Sequence, residues 1–252
     1  MMYRYYKRRP WTGTAQANFK KSLYVNIFCV FLLRCTQIWN KSRRPKSAEI
    51  INAVLSSQLI TPCVTRWNSL YDSVKRLIRH KLKLGELCYR LDIAMFETHE
   101  IEYLEEFLTV MQPIAEGIDF LQSEKHMLFG FFIPALVSIK VKMERNEQSQ
   151  LKYLKDVNLQ LKAALIQRFS AFFYVEPAAM DAIIASMVIP QIKLRFAPVL
   201  LQTAVDTTEE SLREAFVNYG REFADVDENV SESSAPVASF LDFGDEPIGN
   251  RN

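Results

Sequence analysis

The stretch Thr65-Arg66-Trp67-Asn68-Ser69-Leu70-Tyr71-Asp72-Ser73-Val74-Lys75-Arg76-Leu77-Ile78 decides the fold class. Trp67, Leu70, Tyr71, Val74, Leu77 and Ile78 recur at i, i+3, i+4, i+7, i+10 and i+11, the spacing of one face of an α-helix. Thr65 stands where a helix cap is wanted, with a hydroxyl able to accept hydrogen bonds from the unpaired amides of a first turn. Lys75, Arg76, Arg79, Lys81 and Lys83 crowd the far end and leave a cationic surface.

The same period continues outward in both directions. Leu104, Leu108, Met111, Ala115, Ile118 and Leu121 predict a helix over about 100–122, with a kink expected near Pro113. Residues 126–145 predict a second, apolar enough for the centre of a bundle and bent at Pro134; Leu151 to Phe172 predict a third, ending near Glu176-Pro177. A segment at 178–196 begins helical and turns ambiguous around Pro190, and a last helix is expected from Glu209 to Phe223. Upstream, helices are expected over 22–39 and 48–55, separated by the cationic break Asn40-Lys41-Ser42-Arg43-Arg44-Pro45-Lys46. With only 7 Gly and 10 Pro in 252 residues there is little material for the tight turns of a sheet protein, so the expected class is all-α, mainly a helical bundle.

The net charge of +2 conceals an asymmetry. Residues 1–90 hold 18 Lys/Arg against 3 Asp/Glu, whereas 91–252 hold 13 against 26. A basic first part suits a polyanion, because each phosphate neutralised releases condensed counterions; attraction between the two oppositely charged halves is the plainer alternative. Cys29, Cys35, Cys63 and Cys88 show neither a paired metal spacing nor a disulfide framework, which points to a reducing compartment. Leu23 to Leu33 is nearly continuous apolar sequence behind a basic run, but eleven residues fall short of the roughly 20 that span a bilayer, so a buried helix is expected there and no membrane insertion.

Four runs carry a family likeness: Arg34-Cys35-Thr36-Gln37-Ile38-Trp39-Asn40-Lys41-Ser42; Pro62 to Asp72, with the Thr65-Arg66-Trp67-Asn68-Ser69 block as its most specific part; Tyr103 to Ala115; and Ile183 to Lys193. Together they resemble the hAT (hobo, Activator, Tam3) transposases and their domesticated zinc-finger BED relatives. In that family a ribonuclease-H-like fold is split by a helical insertion, and the resemblance implies that this chain is a remnant of the insertion. The expected organisation is an unmatched basic and apolar segment at 1–33, a helical domain at 34–205, and a short helix with an acidic disordered tail at 206–252. The resemblance also implies nuclear localisation, DNA as a partner, and Arg66 and Trp67 as the family's Arg-Trp pair, whose Trp stacks on an exposed base. By its own helical stripe Trp67 reads equally as core. With Lys75, Arg76, Arg79, Lys81 and Lys83 these two residues form the expected nucleic-acid-binding set.

Catalysis is not expected. The family's metal site takes two Asp from strands upstream of the Arg-Trp block and a Glu from beyond the insertion. Here the first Asp is Asp72, and only Glu49 precedes it among the acids. Glu102, Glu105 and Glu106 read as a solvated helix face. No cofactor, metal or small-molecule substrate is expected. The alternative is a protein-interaction module, self-associating or binding a full-length transposase-like partner, with uncovered faces on the 22–39 and 126–145 helices; an unselected relic is a third reading.

Overall fold

The structure, a computed structural model, describes residues 32–63, 65–66, 68–123, 128–222 and 240–244. It is all-α: among the described residues there are eleven helices and no strand. The chain divides into two compact units, one made of 1–65 and 72–104, the other of 66–71 and 105–252. The division falls inside the 34–205 segment, at a point that the apolar periodicity runs straight through.

In the first unit α1 covers residues 32–42 and α2 Pro45–Leu55. Pro45 is not part of a break after all. It opens α2, where its missing N–H costs nothing and its fixed φ suits the first turn. Ser56 closes α2 in the left-handed region at φ 54°, its N–H donated to Asn52 O. α3 spans Ser69–Ile78, followed by a 3-10 turn at Lys81–Lys83 and α4 at Leu84–Arg90, which packs on α2. Cys35, Ile38, Val74, Leu77, Leu87 and Cys88 are fully buried. At the start of α5 (Thr98–Gln122) the buried carboxylate of Glu100 accepts the Glu97 N–H at 2.8 Å, half of a capping box, and lies 2.9 Å from Arg34 Nε.

The second unit is built around α6, Phe132–Gln148, in which every residue from Ile133 to Val141 is buried. The expected start at His126 lies outside the described residues, and Pro134 falls in the first turn, so it starts the helix and does not bend it. α7 (Lys155–Arg168), α9 (Met180–Val188) and α10 (Ala197–Leu201) all pack on α6, while Leu128 and Phe129, ahead of it in the expected helix, are exposed. Of the 22–39 helix only 32–39 is described, and there Cys35, Ile38 and Trp39 are buried.

α5 runs through Pro113 without interruption. The expected single helix over 151–172 is divided. Leu151 to Leu154 stay outside it, α7 ends at Arg168, Phe169 breaks the helix at φ −113° and ψ 31°, and α8 covers Ser170–Phe173. The break brings Phe169 and Phe172 edge-on to Phe132, at 5.8 and 5.0 Å between ring centroids. The ambiguous stretch resolves into α9, a run of turns and α10, and α11 occupies Glu209–Glu222. Residues 240–244 do not behave as the tail that composition suggested. Phe240 and Phe243 are buried in the core of the second unit, because their rings find apolar sockets that local polarity does not reveal.

Candidate nucleic-acid interface

α3 buries Tyr71, Val74, Leu77 and Ile78, as the stripe predicts, and Leu70 is half-buried. Lys75 and Arg76 on the helix are half-buried, and Arg79, Lys81 and Lys83 beyond it are exposed. The turn between them is tied down from two sides. His80 Nε2 lies 3.0 Å from Ser57 Oγ, and Lys83 Nζ donates to Val54 O at 2.9 Å.

Burial, followed by the charges of Arg76, Lys83 and Arg79, pushes the His80 pKa below its ordinary 6.5. The charges of all three cations thus act on one imidazole. Among the described residues none of the three has a carboxylate partner, and Arg76 Nε is buried without a hydrogen bond. Three other cations of this unit are engaged elsewhere: Arg34 with Glu100, Arg90 with Glu86 at 2.8 Å, and Lys41 with the carbonyls of Leu91 and Asp92. Arg79, Lys81 and Lys83 stand exposed at the end of α3 and in the turn after it.

The rest of the expected set is elsewhere. Arg66 is exposed and belongs to the second unit, and Trp67 lies outside the described residues. Thr65 does not cap α3, because the helix begins only at Ser69; its hydroxyl is 3.1 Å from Cys63 Sγ. The neighbouring polar residues build the turn. Ser69 Oγ donates to Arg66 O at 2.9 Å, while Asn68 Nδ2 donates to Ala115 O and to Asp119 Oδ1, each at 2.7 Å. The block thus holds its own backbone in place whatever else its Arg and Trp do.

Among the apolar side chains of the first unit that stand in water and that sequence reasoning missed, Leu82 at 95% exposure and Tyr89 at 81% are the most exposed of the described residues. Leu82 follows Ile78 by four positions and extends the buried stripe on paper; only the end of α3 at Ile78 takes it off that face.

Glu106 corrects the reading of the three glutamates as one solvated face. Its carboxylate accepts the N–H groups of Tyr153 (2.9 and 3.0 Å) and Leu154 (3.2 Å), which precede α7 and have no partner in that helix. Among the described residues no three His, Cys, Asp or Glu side chains are grouped so as to hold a metal ion. Cys35, Cys63 and Cys88 form no disulfide among the described residues, and burial, with Glu100 next in effect, pushes the Cys35 pKa up to about 12. No helix among the described residues is long and apolar enough to cross a membrane. Comparison with protein-family models, curated proteins and solved structures finds no match.

Proposed function

We propose that this chain is a catalytically inactive relative of the hAT transposases that binds nucleic acid in the nucleus through the cationic end of α3 and the turn after it. The observation that carries the reading is the group of exposed cations Arg79, Lys81 and Lys83 at the end of α3, in a turn fixed by the His80–Ser57 and Lys83–Val54 contacts. Guanidinium and ammonium groups gathered at one surface are what a phosphate backbone needs, since their neutralisation releases counterions. The sequence likeness supports DNA as the polyanion, and Arg66 with Trp67 would add grip and stacking at an exposed base.

Fluorescence anisotropy with hairpin and single-stranded DNA across a salt series tests this. The expected result is binding whose logarithm falls linearly with the logarithm of salt, and a slope reduced by about 2 in the double variant Arg79→Gln/Lys81→Gln, roughly one per phosphate contact removed. Trp67→Ala is expected to weaken the hairpin complex and leave the salt slope unchanged. Absence of binding at low salt would overturn the proposal.

A further inference from the structure

Residues 240–244 hold no regular secondary structure, yet Phe240, Asp242 and Phe243 each have a specific partner elsewhere in the second unit. The Phe240 ring stacks on Phe120, with centroids 5.2 Å apart and planes inclined by 28°, and Lys142 Nζ sits 4.1 Å from its centroid. The Phe243 ring faces the Arg195 guanidinium at 5.2 Å. Between the two rings the Asp242 carboxylate takes both terminal nitrogens of Arg145, and the Asp242 N–H donates to Ser138 Oγ at 2.8 Å. The Ser138 hydroxyl is fully buried and spends its own proton on Pro134 O at 2.7 Å, so it faces Asp242 purely as an acceptor. Gly244 adopts φ 81°, which returns its N–H to Asp242 Oδ1 at 3.0 Å.

The floor of this site is shaped for its occupant. Gly117 lies beneath the Phe240 ring, and a Cβ there would come within 3.3 Å of Phe240 Cζ and 2.6 Å of Ile139 Cδ1. Two aromatic anchors in sockets, a bidentate Arg-carboxylate pair between them and one captured backbone amide form the pattern by which a folded surface reads a short linear peptide. The ligand here is carried by the receptor's own chain, with seventeen residues between the end of α11 at Glu222 and Phe240.

We infer that α5, α6 and the turn holding Arg195 form a peptide-receptor site for a Phe-Leu-Asp-Phe segment, filled within one chain by residues 240–243 and filled between chains when a second copy donates the same segment. These contacts are all made by residues 240–244 themselves, so an exchanged segment recovers each of them, and exchange of an identical element is a low-cost route to a dimer. Within one chain the segment competes with segments from other copies, so exchange grows with protein concentration.

Two full-length variants separate donor from acceptor. Phe240→Ala/Phe243→Ala empties the site and keeps the receptor; Arg145→Glu/Gly117→Leu blocks the receptor and keeps the segment. The expected result is that each alone stays monomeric by light scattering, that an equimolar mixture forms a one-to-one heterodimer, and that the emptied variant binds a fluorescein-labelled peptide of residues 236–246 at least tenfold more tightly than the unaltered chain does. A mixture that stays monomeric overturns the inference. If either variant loses its helical circular dichroism, the unaltered chain carrying a protease site between 228 and 234 replaces it: after cleavage the labelled peptide is expected to displace the resident fragment, and failure to exchange overturns the inference in the same way.

Discussion

Gly130 lies against the backbone of Ala185, so close that a Cβ built on it would stand 2.3 Å from the Ala185 carbonyl oxygen and 2.8 Å from its carbonyl carbon. The 3-10 turn at Phe129–Phe131 and α9 meet at this point. A backbone atom cannot swing aside as a side chain can. Gly130→Ala is therefore expected to cost about 1–3 kcal/mol by overpacking and to lower the thermal midpoint measured by circular dichroism. An unchanged midpoint would show that the two elements do not touch.

Arg34 and Glu100 make a second, electrostatic prediction. Glu100 is 2% exposed, and removing the guanidinium leaves its carboxylate buried without a counter-charge. Arg34→Met is expected to destabilise the first unit by about 3–5 kcal/mol, and Arg34→Met/Glu100→Gln to recover part of that loss. Urea unfolding of the three proteins checks it; equal losses in the single and double variants would contradict it.

The thiols should differ in reactivity. Cys63 is exposed, whereas Cys35 and Cys88 are buried, with burial the largest effect holding both thiols above their ordinary 9.0. The thiolate is the nucleophile, so brief iodoacetamide treatment at pH 8 followed by peptide mass spectrometry is expected to find Cys63 modified and Cys35 and Cys88 protected until urea is added. Modification of Cys35 as fast as Cys63 would refute the buried arrangement.

His80 predicts a pH dependence with a definite sign. Its pKa in the fold lies below the ordinary 6.5, so the unfolded chain binds the proton more readily between the two values. The contribution to stability is complete above pH 6.5 and is lost as pH falls toward the depressed value. Proton NMR of the imidazole is expected to show a midpoint below 6.5 at low salt that rises in Arg79→Gln and rises on adding single-stranded DNA. A midpoint at or above 6.5 in the free protein would mean that the cations do not converge there.

Much of the fold was legible because a helix buried on one side must repeat its apolar residues every 3.6 positions. Tyr71, Val74, Leu77 and Ile78 were placed correctly on that ground, as were α5 and α11. Element ends were harder. Pro45 and Pro134 look like breakers in a sequence and serve as helix openers in the fold, because a first turn lacks the acceptor that a proline would fail to reach. The cationic set was readable as composition, but its division was not. Arg66 falls in one unit and Lys75 to Lys83 in the other, although only nine positions separate Arg66 from Lys75.

By itself, then, the sequence determined the helical class, the buried stripes and the excess of positive charge in the first third, all of which follow from residue type and local spacing. Tertiary structure alone decided that Glu106 caps a helix 47 positions away, that His80 meets Ser57 among three cations, and that Asp242 pairs with Arg145 across 97 residues. Such contacts depend on where the chain returns after many turns, and no local repeat carries that information, because hydrogen bonds and ion pairs form between neighbours in space, whatever their distance along the chain.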